Sequence, residues 1–213
     1  MKSVAVVGAS LAGLSAARAL RTQGFDGELT IVGGEARRPY DRPPLSKEFL
    51  AGDIGEDALA LEADDDDLNA QWLLGVHATR LDAAACAVVL DNGTTVHADG
   101  VVVATGARAR PWPGSERLAG VHVLRTVDDA VALRAELRPG ARLVVIGAGF
   151  IGAEVASTAT KLGLEVTVVE AALAPLAGPL GVQLGAAVAR LHAVHGTRLL
   201  CGGPLPALPA ATA

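Results

Sequence analysis

One glycine pattern is written twice in this chain. Gly8-Ala9-Ser10-Leu11-Ala12-Gly13 and Gly147-Ala148-Gly149-Phe150-Ile151-Gly152 align residue for residue. Each copy follows a short apolar run: residues 4–7, which read as a buried strand, or 143–146, which read as another strand. Each opens a segment of helical spacing, residues 11–22 or 150–162. A further glycine falls eleven residues after the last one in both copies, Gly24 and Gly163, where a helix would stop. The next strand-like runs, residues 29–32 and 166–169, each end near an acid, Glu35 or Glu170.

A strand, a glycine turn, a helix, a second strand and a terminal acid together make the Rossmann βαβ unit. The first glycine allows the tight turn, the second lets the backbone approach a pyrophosphate, and the third lets helix and strand pack closely. The helix N-terminus offers free amides and a partial positive charge to phosphates. The acid accepts hydrogen bonds from ribose hydroxyls. Glycines serving packing alone would leave the two terminal acids unexplained. The expected fold class is therefore α/β, with two Rossmann-like nucleotide-binding units on parallel sheets, each incomplete. The copies differ. Ser10 replaces the middle glycine of the first. Glu170 is followed by Ala171, Ala172 and Leu173 with no arginine, so a 2′-phosphate would face an unneutralised carboxylate, which favours NADH over NADPH. Arg37 and Arg38 follow Glu35; they suit a solvated or pyrophosphate-facing role, or a 2′-phosphate partner.

Composition is consistent with that frame. Eighteen basic residues against 23 acidic ones give a net charge of −5, without the clustered cations of a nucleic-acid surface. Ala, Val and Leu dominate and aromatics are few, as expected for parallel strands buried on both faces. The acidic run Asp64 to Asp67 reads as a solvated loop or helix start. Cys86 and Cys201 show no CxxC or CxxxxC spacing, so neither a redox dithiol nor a disulfide framework is implied, and a cytoplasmic compartment is expected. The first residues resemble a short signal peptide, but a strand, glycine turn and Ala-rich helix give the same composition. No run of about 18 apolar residues suggests a membrane span, and no metal site is indicated.

Between the two copies, Asp91-Asn92-Gly93 signals a hairpin, and residues 101–104 read as a buried strand. In residues 37–47, Pro39, Pro43 and Pro44 exclude regular structure until after the prolines, so the segment is expected to be a loop. Helices are expected over residues 128–137 and 182–195, with a last strand at 197–200. The Pro111-Trp112-Pro113-Gly114 stretch marks the boundary. The expected division is 1–112, an FAD-binding unit; 113–200, an NAD-binding unit; and 201–213, an irregular tail.

The glycine motif, then Pro39-Tyr40-Asp41-Arg42-Pro43-Pro44-Leu45-Ser46-Lys47, Val103 to Ala107, and Gly147 to Glu154 together resemble the FAD-dependent NADH:ferredoxin reductases of bacterial oxygenase systems, within the pyridine nucleotide-disulfide oxidoreductases. The resemblance implies FAD on the first unit, with Gly8, Ser10, Leu11, Ala12 and Gly13 at the pyrophosphate and Glu35 at the ribose. Arg42 and Lys47 would reach along the flavin, Lys47 near the isoalloxazine and paired with Glu154, the two residues assigned to catalysis. Ala104, Thr105 and Gly106 would pass close to the FAD. Gly147, Gly149, Phe150, Ile151, Gly152 and Glu170 would hold NAD(H). The implied activity passes hydride from NADH to flavin, then single electrons to a 2Fe–2S ferredoxin.

Ser46 stands near where disulfide-reducing relatives would keep a cysteine, which disfavours a disulfide reductase or an NADH oxidase as the second enzymatic reading. Members of the family continue for roughly as many residues again, whereas CGGPLPALPAATA does not resemble that continuation. The expectation is a truncated or frameshifted end, weak FAD binding and slow ferredoxin reduction. The rival from another class is a nucleotide-binding fragment without turnover.

Overall fold

The computed structural model describes residues 1–63, 67–115 and 118–203. It divides into two compact units: Met1–Asp41 with Asp57–Arg108, and Arg42–Glu56 with Ala109–Ala213. This differs from a contiguous division at residue 112. Residues 42–56 belong with the second unit, because Leu50 is fully buried there among Leu133, Val155, Leu124 and Leu143.

In the first unit, β1 (Ser3–Val7) leads through the glycine turn into α1 (Leu11–Thr22), and β2 (Glu28–Gly33) follows. β3 (Ala70–Leu74) and β7 (Gly100–Val103) complete a four-stranded parallel sheet of order β3-β2-β1-β7. β4 (Ala78–Asp82), β5 (Ala87–Leu90) and β6 (Thr95–His97) form a separate antiparallel sheet, β5 and β6 joined through the Asn92-Gly93 turn. Successive side chains of a strand point to opposite faces, and both faces of β1 are covered. Val4 and Val6 pack with Leu14 and Ala17 of α1 and with Leu29 and Ile31 of β2. Val7 packs with Val32 and with Val88 and Leu90 of β5. Leu14 and Ile31 are fully buried, each stabilising the unit by about 1.5–3 kcal/mol.

The second unit is built on the same turn. Glu48–Ala51 forms a one-turn α2, and α3 (Val127–Glu136) starts with a reciprocal cap: Asp129 N donates to Thr126 Oγ1 (3.2 Å) and Thr126 N to Asp129 Oδ2 (2.8 Å). β8 (Arg142–Ile146), α4 (Phe150–Lys161), β9 (Glu165–Glu170), α5 (Ala177–Val194) and β10 (Arg198–Cys201) follow, giving a parallel sheet of order β10-β9-β8. Ala156, Ala159, Val166 and Val168 form its core. α5 bends at Gly181, whose φ is +78°; the helix expected from residue 182 is its part beyond the bend.

Three expectations are corrected. The strand read as buried over residues 101–104 is only partly covered: no residue of β7 is buried and Val103 is 65% exposed. β8 alternates, with Val144 60% and Ile146 39% exposed, so it is covered on one face rather than on both. The proline segment is not wholly irregular, since Pro43–Ser46 forms a 3-10 turn that proline at its first position favours. The expectations for Asp64 to Asp66 and for residues 204–213 lie outside the described residues. Among the described residues, no helix is long and apolar enough to cross a membrane.

The third glycine of the first copy is the tightest of these constraints. A Cβ on Gly13 would stand 1.8 Å from the Gly8 carbonyl oxygen, an atom of the turn itself. Gly13→Val should therefore push α1 off β1 and cost at least about 1–3 kcal/mol. Thermal unfolding should show a midpoint several degrees lower; an unchanged midpoint would mean that the turn has room to relax.

Candidate functional site

The two glycine turns are built alike, unit by unit. In the first, Gly8 adopts φ +128° and its N–H donates to Val32 O at 2.8 Å, tying the turn to the end of β2. In the second, Gly147 adopts φ +99° and donates to Val169 O at the same distance. Ser10 and Gly149 are the extended N-cap residues of α1 and α4, and neither helix has an acid in its first turn. The partial positive charge of each helix end is thus left uncancelled by its own sequence. Leu11 and Ala12 are exposed beside Ser10, and Phe150 and Ile151 are 56% and 50% exposed beside Gly149.

The glycines divide by task. Gly152 repeats the constraint of Gly13, with a Cβ falling 2.0 Å from Gly147 O. Gly149 differs, because nothing lies within 4 Å of where its Cβ would be. Packing therefore explains Gly152 and leaves Gly149 free to serve a ligand. Gly8 is constrained from a third side: its Cβ would stand 2.0 Å from Ala104 O, while Ala104 N donates to Val7 O at 2.8 Å. Thr105 and Gly106 continue from that contact as exposed residues beyond the end of β7.

The two acids are held differently. Glu35 accepts the Tyr40 hydroxyl at 2.5 Å, with Tyr40 itself buried. Glu170 closes onto its own turn: Oε2 accepts from Ala148 N at 2.7 Å and Oε1 from Ala172 N at 2.8 Å. A carboxylate has about four acceptor positions, so each oxygen keeps capacity for a ribose hydroxyl. Arg38 is engaged by Glu62 through two contacts of 2.8 and 2.6 Å and lies 3.6 Å over the Trp72 ring. Those bonds hold it away from the 2′-phosphate role weighed for it.

Arg42, Ser46, Lys47, Phe150, Ile151 and Glu154 line a cavity of about 270 Å³ within the second unit, together with Leu124 and Arg125. Lys47 Nζ pairs with Glu154 Oε2 at 3.0 Å and donates to Pro43 O at 2.9 Å. Ser46 Oγ donates to the same Glu154 oxygen at 2.5 Å, and Arg42 Nη1 donates to Arg125 O at 2.8 Å. The structure thus brings together the Lys47–Glu154 pair implied by resemblance. Sequence reasoning missed Arg125 and Thr158. Thr158 had a signal, lying one helical turn beyond Glu154 on the same face; Arg125, in a connecting segment, had none.

Two glycine turns, each between a parallel strand and a helix N-terminus and each followed by an acid, define a dinucleotide-binding α/β chain of two units. The pyridine nucleotide-disulphide oxidoreductase family matches residues 2–203, and the chain belongs to that family. It is 43% identical to the ferredoxin reductase component of chlorobenzene dioxygenase from Cupriavidus sp. (strain PS12), over 93% of this chain and 49% of that protein. It is 42% identical to rhodocoxin reductase from Rhodococcus erythropolis, over 92% of this chain and 47% of that one. A solved covalent complex of putidaredoxin reductase with putidaredoxin superposes with a TM-score of 0.90 at 35% identity, covering 95% of this chain and 50% of the other. The chain spans about half the length of the curated relatives it matches.

The division of labour among the glycines is testable in the second unit. Gly149→Val should leave the thermal midpoint within about 1–2 °C, because its φ of −77° and open surroundings accept the side chain, yet weaken NADH binding about tenfold or more. Gly152→Ala should lower the midpoint by several degrees. The reverse pattern would reassign the middle glycine to packing.

Proposed function

We propose that the chain is the nucleotide-binding part of a flavoprotein reductase that takes electrons from NADH and passes them to a 2Fe–2S ferredoxin. The observation that carries this reading is the duplicated turn; in the second unit, a cavity whose cations and exposed Phe150 ring suit a flat, anionic cofactor supports it. The ferredoxin enters through the relatives, which are reductase components of oxygenase systems. FAD, when bound, accepts a two-electron hydride and releases electrons singly, chemistry that no side chain supplies.

In this reading the first unit holds FAD: Gly8, Ser10, Leu11, Ala12 and Gly13 present α1 to the pyrophosphate, Glu35 takes the ribose, and Ala104, Thr105 and Gly106 border the cofactor. The second unit holds NADH on Gly147, Gly149, Phe150, Ile151 and Gly152, with Glu170 at the ribose. Arg42 and Lys47 set positive charge on the second unit's own cavity, and Glu154 holds Lys47. A uncommitted middle glycine and helix starts free of acids are what a pyrophosphate requires.

Nucleotide choice follows from Glu170. Two backbone amides fix its carboxylate, so it does not swing aside for a 2′-phosphate. NADH should bind at least about tenfold more tightly than NADPH, a difference of about 1.4 kcal/mol. Glu170→Ala should narrow the gap. Fluorescence titration of both nucleotides measures it, and equal or tighter NADPH binding overturns the assignment.

The electron path is tested by incubating the chain with excess FAD, desalting it and measuring the flavin retained. NADH should then bleach that flavin anaerobically and drive ferricyanide reduction. Bound flavin that NADH fails to reduce would refute the proposed reaction, whereas a chain that takes NADH and retains no flavin would favour a nucleotide-binding fragment.

A further inference from the structure

Ser46 and Thr158 are buried polar side chains, 4% and 7% exposed, that the proposed electron path does not use. Buried hydroxyls are costly without partners, and these two are joined in one chain of hydrogen bonds. Thr158 Oγ1 donates to the Ser46 carbonyl at 2.8 Å, which fixes the Ser46 backbone to α4. The Ser46 hydroxyl has one proton. Its two acceptors are Glu154 Oε2 at 2.5 Å and Pro43 O at 3.4 Å, and the shorter contact takes it. Glu154 and Thr158 stand four residues apart on α4 and so face the same side. The carboxylate oxygen that receives Ser46 is also the one that receives Lys47 Nζ.

We propose that Ser46 is a positioning residue for Lys47. Thr158 holds the Ser46 backbone, the Ser46 hydroxyl orients the Glu154 carboxylate, and the carboxylate, with Pro43 O, holds two of the three ammonium protons, aiming the third at the cavity. Without the hydroxyl, Glu154 regains side-chain rotation and the pair loosens. An ion pair this exposed contributes at most about 1 kcal/mol to stability, so the arrangement serves placement of a charge. The inference rests on the proposed function only for what Lys47 serves; the network is tested without it.

Amine acetylation of the 213-residue chain, read residue by residue by mass spectrometry, reports on Lys47 directly, with Lys161 and Lys2 of the same molecule as internal references. Lys47 should react several-fold more slowly than Lys161. Ser46→Ala and Thr158→Val should each raise Lys47 reactivity several-fold and leave Lys161 unchanged, whereas Ser46→Thr should restore protection. Adding Ser46→Ala to Glu154→Gln should bring no further increase, because both act through one carboxylate. NADH should slow Lys47 acetylation more in the wild-type chain than in Ser46→Ala. Should Ser46→Ala fail to fold, Ser46→Cys keeps the volume with a weaker donor and should give the same increase. Lys47 reactivity unchanged in the Ser46 variants, while Glu154→Gln raises it, overturns the proposal. Absence of any NADH effect, with the mutational pattern intact, counts against the proposed function and leaves the positioning role standing.

Discussion

The placement of both helix ends beside their glycine turns depends on one close approach. The third glycine of each motif lies against the carbonyl of the first, leaving 1.8 Å at Gly13 and 2.0 Å at Gly152 for a side chain that must be absent. The contact sets how near α1 and α4 come to their strands, and so where their free amides sit. It also fixes which residue is spare. With the first glycine committed to a left-handed turn and the third to packing, only the middle position is open to a ligand. Ser10 at that position in the first copy is therefore a smaller departure than its place in a glycine motif suggests. At the equivalent Gly149 nothing lies within 4 Å of where a side chain would start, so a side chain there leaves the fold intact.

The sequence made this part legible because the physics is local. The helix over residues 11–22 was fixed by periodicity, by the turn before it and by Gly24 behind it, and the structure has the same bounds. β3 is hard to read although Asn69 and Gly75, both at positive φ, bracket it: Ala70–Leu74 is a short run with a glutamine and a tryptophan and no clean alternation, and its neighbour β2 makes it a strand. α3 starts at Val127, one residue before its periodicity suggests, because Thr126 and Asp129 form a capping pair, a local signal in the sequence. The uncovered face of β8 was not readable at all. Val144 and Ile146 look like core residues in any window, and whether a sheet face is covered is decided by other chain, not by the strand.

Residues 42–56 show the same limit in another form. Prolines at 43 and 44 point to a loop, and its position in the chain groups it with the residues before it. Its allegiance instead follows Leu50 and Phe49, both fully buried, and Arg134, which lies over the Phe49 ring at 4.7 Å and donates to the Phe49 carbonyl at 3.1 Å. Prolines fix φ and remove donors, which stiffens the segment without saying what it packs on. That stiffness matters for the site. Arg42 and Lys47 are long, flexible cations whose placement costs side-chain entropy, and a short turn anchored on α4 reduces how much of that freedom must be lost when a ligand arrives.

The two acids show where the duplicated pattern stops being a duplicate. From sequence, Glu35 and Glu170 are equivalent: each follows a second strand, and each suits a ribose. In the structure their supports differ. Glu170 is bonded to the Ala148 amide of its own glycine turn, so strand end and turn are closed into one rigid piece. Glu35 is instead held by the Tyr40 hydroxyl, from the segment that leads to the proline loop. A carboxylate fixed by backbone depends only on the local fold. One fixed by a tyrosine depends on a loop that need not exist in every copy of the motif. The second acid is thus set by the unit that carries it, and the first by the specialised segment between the two copies, the part of the chain whose pattern also carried the family resemblance.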